Sequence, residues 1–229
     1  MKRINIFCMI LTAALMTACE IDNYDAPDAS LKGTVIDETT GQGLITEQPD
    51  GVQIRYRELS EKYPNAQFRN FWCRADGTYS NTKLFAARYE VYPEGAFVAP
   101  EHKEVTLVSG SETKLDFTVK PYVSIEINDN DVVKSGNALT LKFKLTKNAG
   151  TIQDYRIFAT NRTPLVGTVA TDDIGGNEIA LSAWAAADTT ITATRTGFTS
   201  GKYWVRVGAR CKEAPSSRYN LSKVFEIQF

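Results

Sequence analysis

Short stretches in which apolar and polar side chains alternate recur along most of the chain. The cleanest stretch covers residues 139–145, where three Leu and one Phe alternate with Thr and Lys. A period of two places alternate side chains on opposite faces of a β-strand, whereas a helix needs a period near 3.6. Turn-forming residues such as Gly41 and Gly43 separate these stretches. The pattern therefore predicts an all-β chain.

The strands expected from this pattern fall into two groups on either side of Pro121. The first group lies at residues 31–37, 52–56, 88–93, 102–107 and 113–119, with the last two forming a closing pair around the turn at 109–111. The second lies at 122–127, 139–145, 153–160 and 189–195, followed by a final hairpin of 202–211 and 219–229. Strands separated by turn signals indicate β-sandwiches. We expect two in tandem, over residues 30–120 and 121–229.

The first 29 residues have the pattern of an export and anchoring segment. Lys2 and Arg3 precede an apolar run to Ala18 that is too short to span a membrane. The run ends in Leu-Met-Thr-Ala before Cys19, which resembles a bacterial lipobox with Met16 in a place where Leu is more usual. The resemblance implies a signal peptide at 1–18 and a lipid on Cys19.

Residues 19–29 are acidic, contain Pro27, and are expected to form an extended tether. They resemble the export signal of surface lipoproteins in Bacteroides-type bacteria, which implies a lipid-anchored protein of the outer membrane at the cell surface. The alternative is a plain linker that faces the periplasm.

Each half of the chain also resembles a known β-sandwich. The first half carries Gly33–Asp37, Thr40-Gly41, Asp76–Tyr79 and Tyr89–Val91 in the order typical of carboxypeptidase-regulatory-like, or transthyretin-like, domains. It departs from that family where residues 60–74 are inserted. In the second half, residues 201–209 resemble the penultimate strand of immunoglobulin and fibronectin type III folds.

The whole chain resembles the two-domain lipoproteins that accompany SusC/SusD-type glycan-uptake systems in Bacteroides-type bacteria. The residues that carry the likeness are 19–27, the strand at 31–37, 208–210 and 218–220. The resemblance implies non-catalytic capture or presentation of a polysaccharide or oligosaccharide, with SusC/SusD-type proteins as partners. The alternative is a structural spacer or assembly subunit that binds protein partners and has no sugar site.

A glycan site needs exposed aromatic faces with polar groups beside them. Trp72, with Phe71 and Arg69 next to it in the inserted segment, is one candidate. Trp184, which lies outside the clear strands, is the other. Trp204 falls inside an alternating strand, so we expect it in the core or on a sheet face.

Other polar and sulfur-containing positions have simpler interpretations. A solvated turn is expected at residues 128–131, with calcium binding by Asp129 and Asp131 as the alternative. Thr189 follows an Asp in the short pattern of a bacterial O-glycosylation acceptor. Cys73 and Cys211 are expected in different domains as two buried free thiols. No cofactor is expected.

Composition and motifs disfavour several functional classes. The chain has 26 Lys and Arg against 27 Asp and Glu, which does not suit a nucleic-acid-binding protein. The single histidine, His102, lies in a charged run that indicates a solvated strand edge. No nucleotide-binding, nucleophile or metal-ligand motif is present. A glycosidase needs only two carboxylates, so composition leaves that possibility open.

Overall fold

The computed structural model describes residues 25–174, 178–180, 188–215 and 218–229. The predicted signal peptide, Cys19 and Trp184 lie outside these ranges. The described chain forms 18 strands and one short 3-10 turn, and no α-helix occurs within it. The all-β prediction is confirmed. The strands are β1 (Ala29–Asp37), β2 (Gln53–Glu58), β3 (Arg69–Trp72), β4 (Thr78–Leu84), β5 (Arg88–Glu94), β6 (Phe97–Val98), β7 (Lys103–Thr106), β8 (Glu112–Lys114), β9 (Phe117–Pro121), β10 (Val123–Glu126), β11 (Val132–Ser135), β12 (Ala138–Lys147), β13 (Ile152–Thr160), β14 (Glu178–Ala180), β15 (Asp188–Arg195), β16 (Lys202–Cys211), β17 (Tyr219–Leu221) and β18 (Phe225–Gln228).

Residues 25–121, here called the N-terminal lobe, fold into two sheets. The first has the order β4-β1-β9-β6, with β8 also pairing with β1, and the second has the order β3-β2-β5-β7. The first strand β1 runs parallel to β8 and β9 and antiparallel to β4. Alternate residues of both sheets point inward and form one core that includes Leu31, Ile54, Val91 and Phe117.

Residues 122–229, the C-terminal lobe, form a second sandwich with its own core. One sheet is built around β12, which pairs with β10, β11 and β15. The other has the order β14-β13-β16-β17, and β18 also pairs with β16. Leu141 and Phe143 of β12 face Ile157 and Val205 across this core. The outward side chains of β13, β16 and β17 are consequently free to contact the N-terminal lobe.

The pairing of one predicted hairpin was wrong. The segments at 102–107 and 113–119 do not pair with each other: β7 joins β5 in one sheet, whereas β8 and β9 join β1 in the other. The turn between them crosses from one sheet to the other, because each segment has an apolar side that must cover a different face of the same core.

Cys73 and Cys211 are both free and buried, one in each lobe, which confirms the prediction. Over the described ranges, no helix has the length and apolar character required to cross a membrane.

Candidate functional site between the lobes

Buried polar side chains join the two lobes directly. The Asn220 amide donates to the carbonyl of Ala96 at 2.7 Å and accepts from the Val123 amide at 3.1 Å. The Arg218 guanidinium, whose side chain is 6% exposed, donates to the carbonyl of Glu94 at 3.0 Å and to its carboxylate at 3.2 Å. These bonds fix the end of β5 against the start of β17.

Glu47 makes a second connection from the loop between β1 and β2. Its carboxylate is buried and accepts from the Thr168 amide at 2.6 Å and from the Thr168 hydroxyl at 2.9 Å. Arg206, also buried, donates to the carbonyl of Thr46 at 3.2 Å. Burial lowers the pKa of Arg206 to about 10, and the nearby charge of Glu47 opposes that shift. A carboxylate of the N-terminal lobe therefore compensates a buried cation of the C-terminal lobe.

One row of paired residues in the β14-β13-β16-β17 sheet of the C-terminal lobe forms a charged surface, here called the charged floor. Asp154, Arg210 and Tyr219 lie opposite one another on β13, β16 and β17. Asp154 is ion-paired with Arg210 and accepts from the Tyr219 hydroxyl at 2.9 Å. Burial, followed by the charge of Asp154, raises the pKa of Tyr219, so this hydroxyl stays protonated and keeps donating.

Trp72 faces this floor from the end of β3. It pairs with Gln53 of β2, which pairs in turn with Glu94 of β5, so these three residues form a matching row in the N-terminal lobe. The indole is half-buried, and the Arg218 guanidinium lies 5.6 Å from its ring centroid. A cation at this distance from an aromatic face is attracted to it and holds the ring in place.

A cleft of about 480 Å³ lies between these two rows. Its walls combine one indole, one phenol, three guanidinium groups, two carboxylates and two neutral polar side chains: Trp72, Tyr219, Arg156, Arg210, Arg218, Glu47, Asp50, Gln53 and Thr168. The volume falls within the usual range for ligand pockets, roughly 300–1,000 Å³. An aromatic ring surrounded by hydrogen-bond donors and acceptors matches the chemistry of a sugar, which has C–H faces and hydroxyl edges.

The structure does not bring the other predicted residues to Trp72. Side chains alternate along β3, so Phe71 points to the opposite side, where its ring centroid lies 5.8 Å from that of Tyr56 and 6.0 Å from that of Tyr79. Arg69 shares the side of Phe71 and lines a different cavity. Trp184 lies outside the described residues. Of these predicted residues that the structure describes, Trp72 lines the interlobe cleft, whereas Phe71 and Arg69 do not.

Trp204 lies on the outer face of β16, half-buried against the apolar cluster of Phe158, Val166, Tyr219 and Leu221. Position on a sheet face agrees with the prediction. His102 is exposed and stacks on Tyr92 at 3.9 Å, with its Nδ1 atom 2.5 Å from the Glu90 carboxylate.

The remaining predicted positions contact other side chains or strands of the C-terminal lobe. Asp129 accepts from Lys223 at 2.6 Å, and Asp131 accepts from the Asn128 amide at 2.9 Å. No group of three metal-binding side chains occurs in the part of the chain that the structure describes. Thr189 lies within β15, opposite Leu145.

Sequence reasoning missed the charged residues of this floor. Asp154, Arg156 and Arg210 lie at outward positions of strands whose alternation was recognised, so they could have been assigned to a solvent-facing sheet face. The sequence offers one further signal, since polar residues such as Asp154 are interspersed with Phe158 and Trp204 on that face. Such a mixed face is typical of a surface that is partly covered by another unit.

No protein-family model matches the sequence, and no curated protein matches it. Solved structures do match. A DUF3823 family protein from Bacteroides uniformis is 22% identical with a TM-score of 0.74, covering 89% of this chain and 100% of that chain. A second B. uniformis protein, described as a "putative carbohydrate binding protein", is 26% identical with a TM-score of 0.73 and the same coverage. A DUF3823 family protein from Parabacteroides merdae is 20% identical with a TM-score of 0.68, covering 89% and 100%. These structures share the overall fold of both lobes.

Proposed function

We propose that this protein is a non-catalytic binding protein that holds a glycan in the cleft between its lobes. The observation that carries the proposal is the position of Trp72, half-buried in a concave site whose other walls are hydrogen-bonding side chains. A similar fold in a B. uniformis protein described as carbohydrate binding supports the same function.

The proposal includes a location at the outer membrane. The lipobox-like segment that ends at Cys19 and the acidic residues after it support a lipid anchor and a surface-exposed protein. A role in presenting glycan to a SusC/SusD-type importer follows from the same resemblance. Labelling with radioactive palmitate, lost in Cys19→Ala, tests the anchor, and protease treatment of intact cells tests surface exposure.

Titration of the protein comprising residues 20–229 with a panel of polysaccharides tests the cleft. We expect one glycan class to retard the protein in gels and to change its tryptophan fluorescence. Trp72→Ala should weaken that binding at least tenfold, which is about 1.4 kcal/mol. Trp204→Phe is the matched control, because Trp204 is not among the residues that line the cleft and Phe preserves most of its packing.

A second cleft variant distinguishes loss of a binding contact from loss of the fold. Asp50 is exposed and lines the cleft, so Asp50→Ala should weaken binding without affecting the fold. Unchanged binding in both cleft variants would contradict the proposal.

The structural spacer is the second candidate function, and the interlobe bonds favour it specifically. Glu47, Arg218 and Asn220 hold the lobes in one arrangement, as a rigid spacer requires. A panel in which no glycan binds would favour this role over glycan capture.

A further inference from the structure

A second cavity lies at the far end of the N-terminal lobe, beside the loop that joins β2 to β3. This loop, residues 59–68, overlaps the segment 60–74 that the sequence comparison with transthyretin-like domains marks as an insertion. The cavity has a volume of about 750 Å³ and opens to solvent. It is separate from the interlobe cleft, because the side chains of Arg69 and Trp72 lie on opposite faces of β3.

Aromatic rings form one part of this cavity: Tyr56, Tyr63, Phe85 and Tyr89. Tyr63 is 53% exposed and Phe85 is 54% exposed, so two large aromatic side chains are open to solvent, and the Lys62 ammonium lies 5.4 Å from the centroid of the Tyr63 ring. Tyr56 and Tyr89 are held rigidly below them, with ring centroids 6.0 Å apart and the Tyr89 hydroxyl donating to the carbonyl of Phe85 at 3.1 Å. Exposed rings on a rigid base form a stacking surface for a ligand.

Cations form the other part. Lys62, Arg69 and Lys83 line the cavity and are exposed, and none of them has an ion-pair partner in the described chain. The fourth lining cation, Arg57, is already paired with Glu90 at 2.6 Å. Within the described part of the chain, Glu58 is the only carboxylate that lines the cavity. The cavity therefore presents an excess of positive charge, although the chain as a whole carries a formal charge of −1.

We propose that this cavity binds an acidic saccharide, in which the rings of the sugar stack on Tyr63 and Phe85 and its carboxylate or sulfate groups meet Lys62, Arg69 and Lys83. Charge complementarity selects the anion, and the exposed rings select a ligand with C–H faces. The choice of a saccharide over other anions rests on the proposed function. The cavity would give the protein a second sugar-binding surface of different specificity from that of the cleft.

Affinity electrophoresis of the protein comprising residues 20–229 tests this site with four probes. Polygalacturonate and dextran sulfate carry carboxylates and sulfates respectively, dextran is neutral, and poly-L-glutamate is an anion without sugar rings. We expect retardation by at least one acidic saccharide, weaker binding of dextran and poly-L-glutamate, and loss of affinity as salt is raised. The responding acidic probe identifies the anionic group.

Variants at exposed positions locate the binding. Arg69→Ala combined with Lys83→Ala, and separately Tyr63→Ala, should each weaken acidic-saccharide binding about tenfold, which is about 1.4 kcal/mol. Lys142→Ala, at an exposed lysine of β12 in the other lobe, is the matched control and should have no effect. Trp72→Ala should also leave this binding intact.

Three results would overturn the proposal. The first is that neither acidic saccharide retards the protein. The second is that poly-L-glutamate retards it equally and Tyr63→Ala has no effect, which indicates a bare charged surface. The third is that Trp72→Ala alone abolishes retardation. The last result would assign the acidic saccharide to the cleft, whereas failure of the cleft proposal leaves the effects of Arg69 and Tyr63 unchanged.

Discussion

The pKa values of the two buried thiols show how strongly the surroundings of a side chain affect its ionisation. Cys73 has no exposed surface, and burial followed by the charge of Asp76 raises its pKa to about 12. Burial likewise raises the pKa of Cys211 to about 12, with the charge of Glu213 adding to the effect. Because the thiolate is the reactive form, both residues should be chemically inert in the folded protein.

The protein comprising residues 20–229 retains only these two cysteines. At pH 8 we expect no rapid reaction with Ellman's reagent in the native state, and reaction of both thiols in guanidinium chloride. The native thiols stay protonated up to about pH 12, whereas unfolded thiols ionise near pH 9. Raising the pH above 9 should therefore lower the free energy of unfolding. Rapid native reaction of either thiol would contradict this account.

Single residues could be assigned from sequence only where their neighbours along the chain determine their surroundings. The burial of both thiols was predicted correctly. The ion pair of Asp154 with Arg210 was not, since 56 positions separate the two residues and only strand pairing brings them together. Trp72 was predicted to form one site with Arg69, whereas the alternation of β3 assigns Arg69 to another cavity.

Strand β1 is approached closely by its neighbours at Gly33. Gly33 lies where β1 passes from β8 to β9, and a Cβ atom at this position would lie 1.9 Å from the Leu115 carbonyl oxygen and 2.7 Å from the Tyr79 hydroxyl. Tyr79 itself donates to that carbonyl. The close approach of backbone to backbone therefore requires glycine here.

Gly33→Ala should destabilise the protein by about 3 kcal/mol, because backbone atoms of two strands must move apart to admit the methyl group. Urea unfolding followed by fluorescence measures the change. Lys32→Ala, the adjacent control, removes only an exposed ion pair with Glu112 and should cost less than about 1 kcal/mol. Equal stabilities for the two variants would rule out the steric requirement.

Alternation predicted the positions of most strands but not their interruptions. The segment 202–211 is one continuous strand, as expected, whereas 113–119 and 219–229 are each divided in two. At the first break the Asp116 carboxylate accepts from the Thr34 amide at 2.8 Å, and at the second the Ser222 hydroxyl accepts from the Val207 amide at 3.0 Å. At each break a side-chain oxygen accepts the hydrogen bond that a backbone carbonyl would accept in a continuous strand. The donor lies on a strand distant in sequence, so the local pattern cannot predict it.

At the scale of the whole molecule, the bonds of Glu47 should make the two lobes unfold together. Glu47→Ala removes the acceptor of the Thr168 amide and leaves the buried Arg206 without its compensating charge. We expect a loss of about 3 kcal/mol and separation of one calorimetric transition into two. Glu112→Ala, which removes an exposed carboxylate, should leave a single transition. A single transition with an unchanged midpoint in Glu47→Ala would show that the lobes are not coupled through this residue.

The parallel pairing of β1 with β9 also has a mechanical consequence. The chain enters the N-terminal lobe at the start of β1 and leaves it at the end of β9 toward the C-terminal lobe, so these two points lie at opposite ends of the strand pair. Tension between the amino end and the C-terminal lobe pulls the strands lengthwise past each other. Their hydrogen bonds then bear the load simultaneously and in shear, instead of opening one after another. If the protein is held at its amino end and a large ligand pulls on its C-terminal lobe, the β1–β9 pair is loaded in shear, the direction in which paired strands resist separation most strongly.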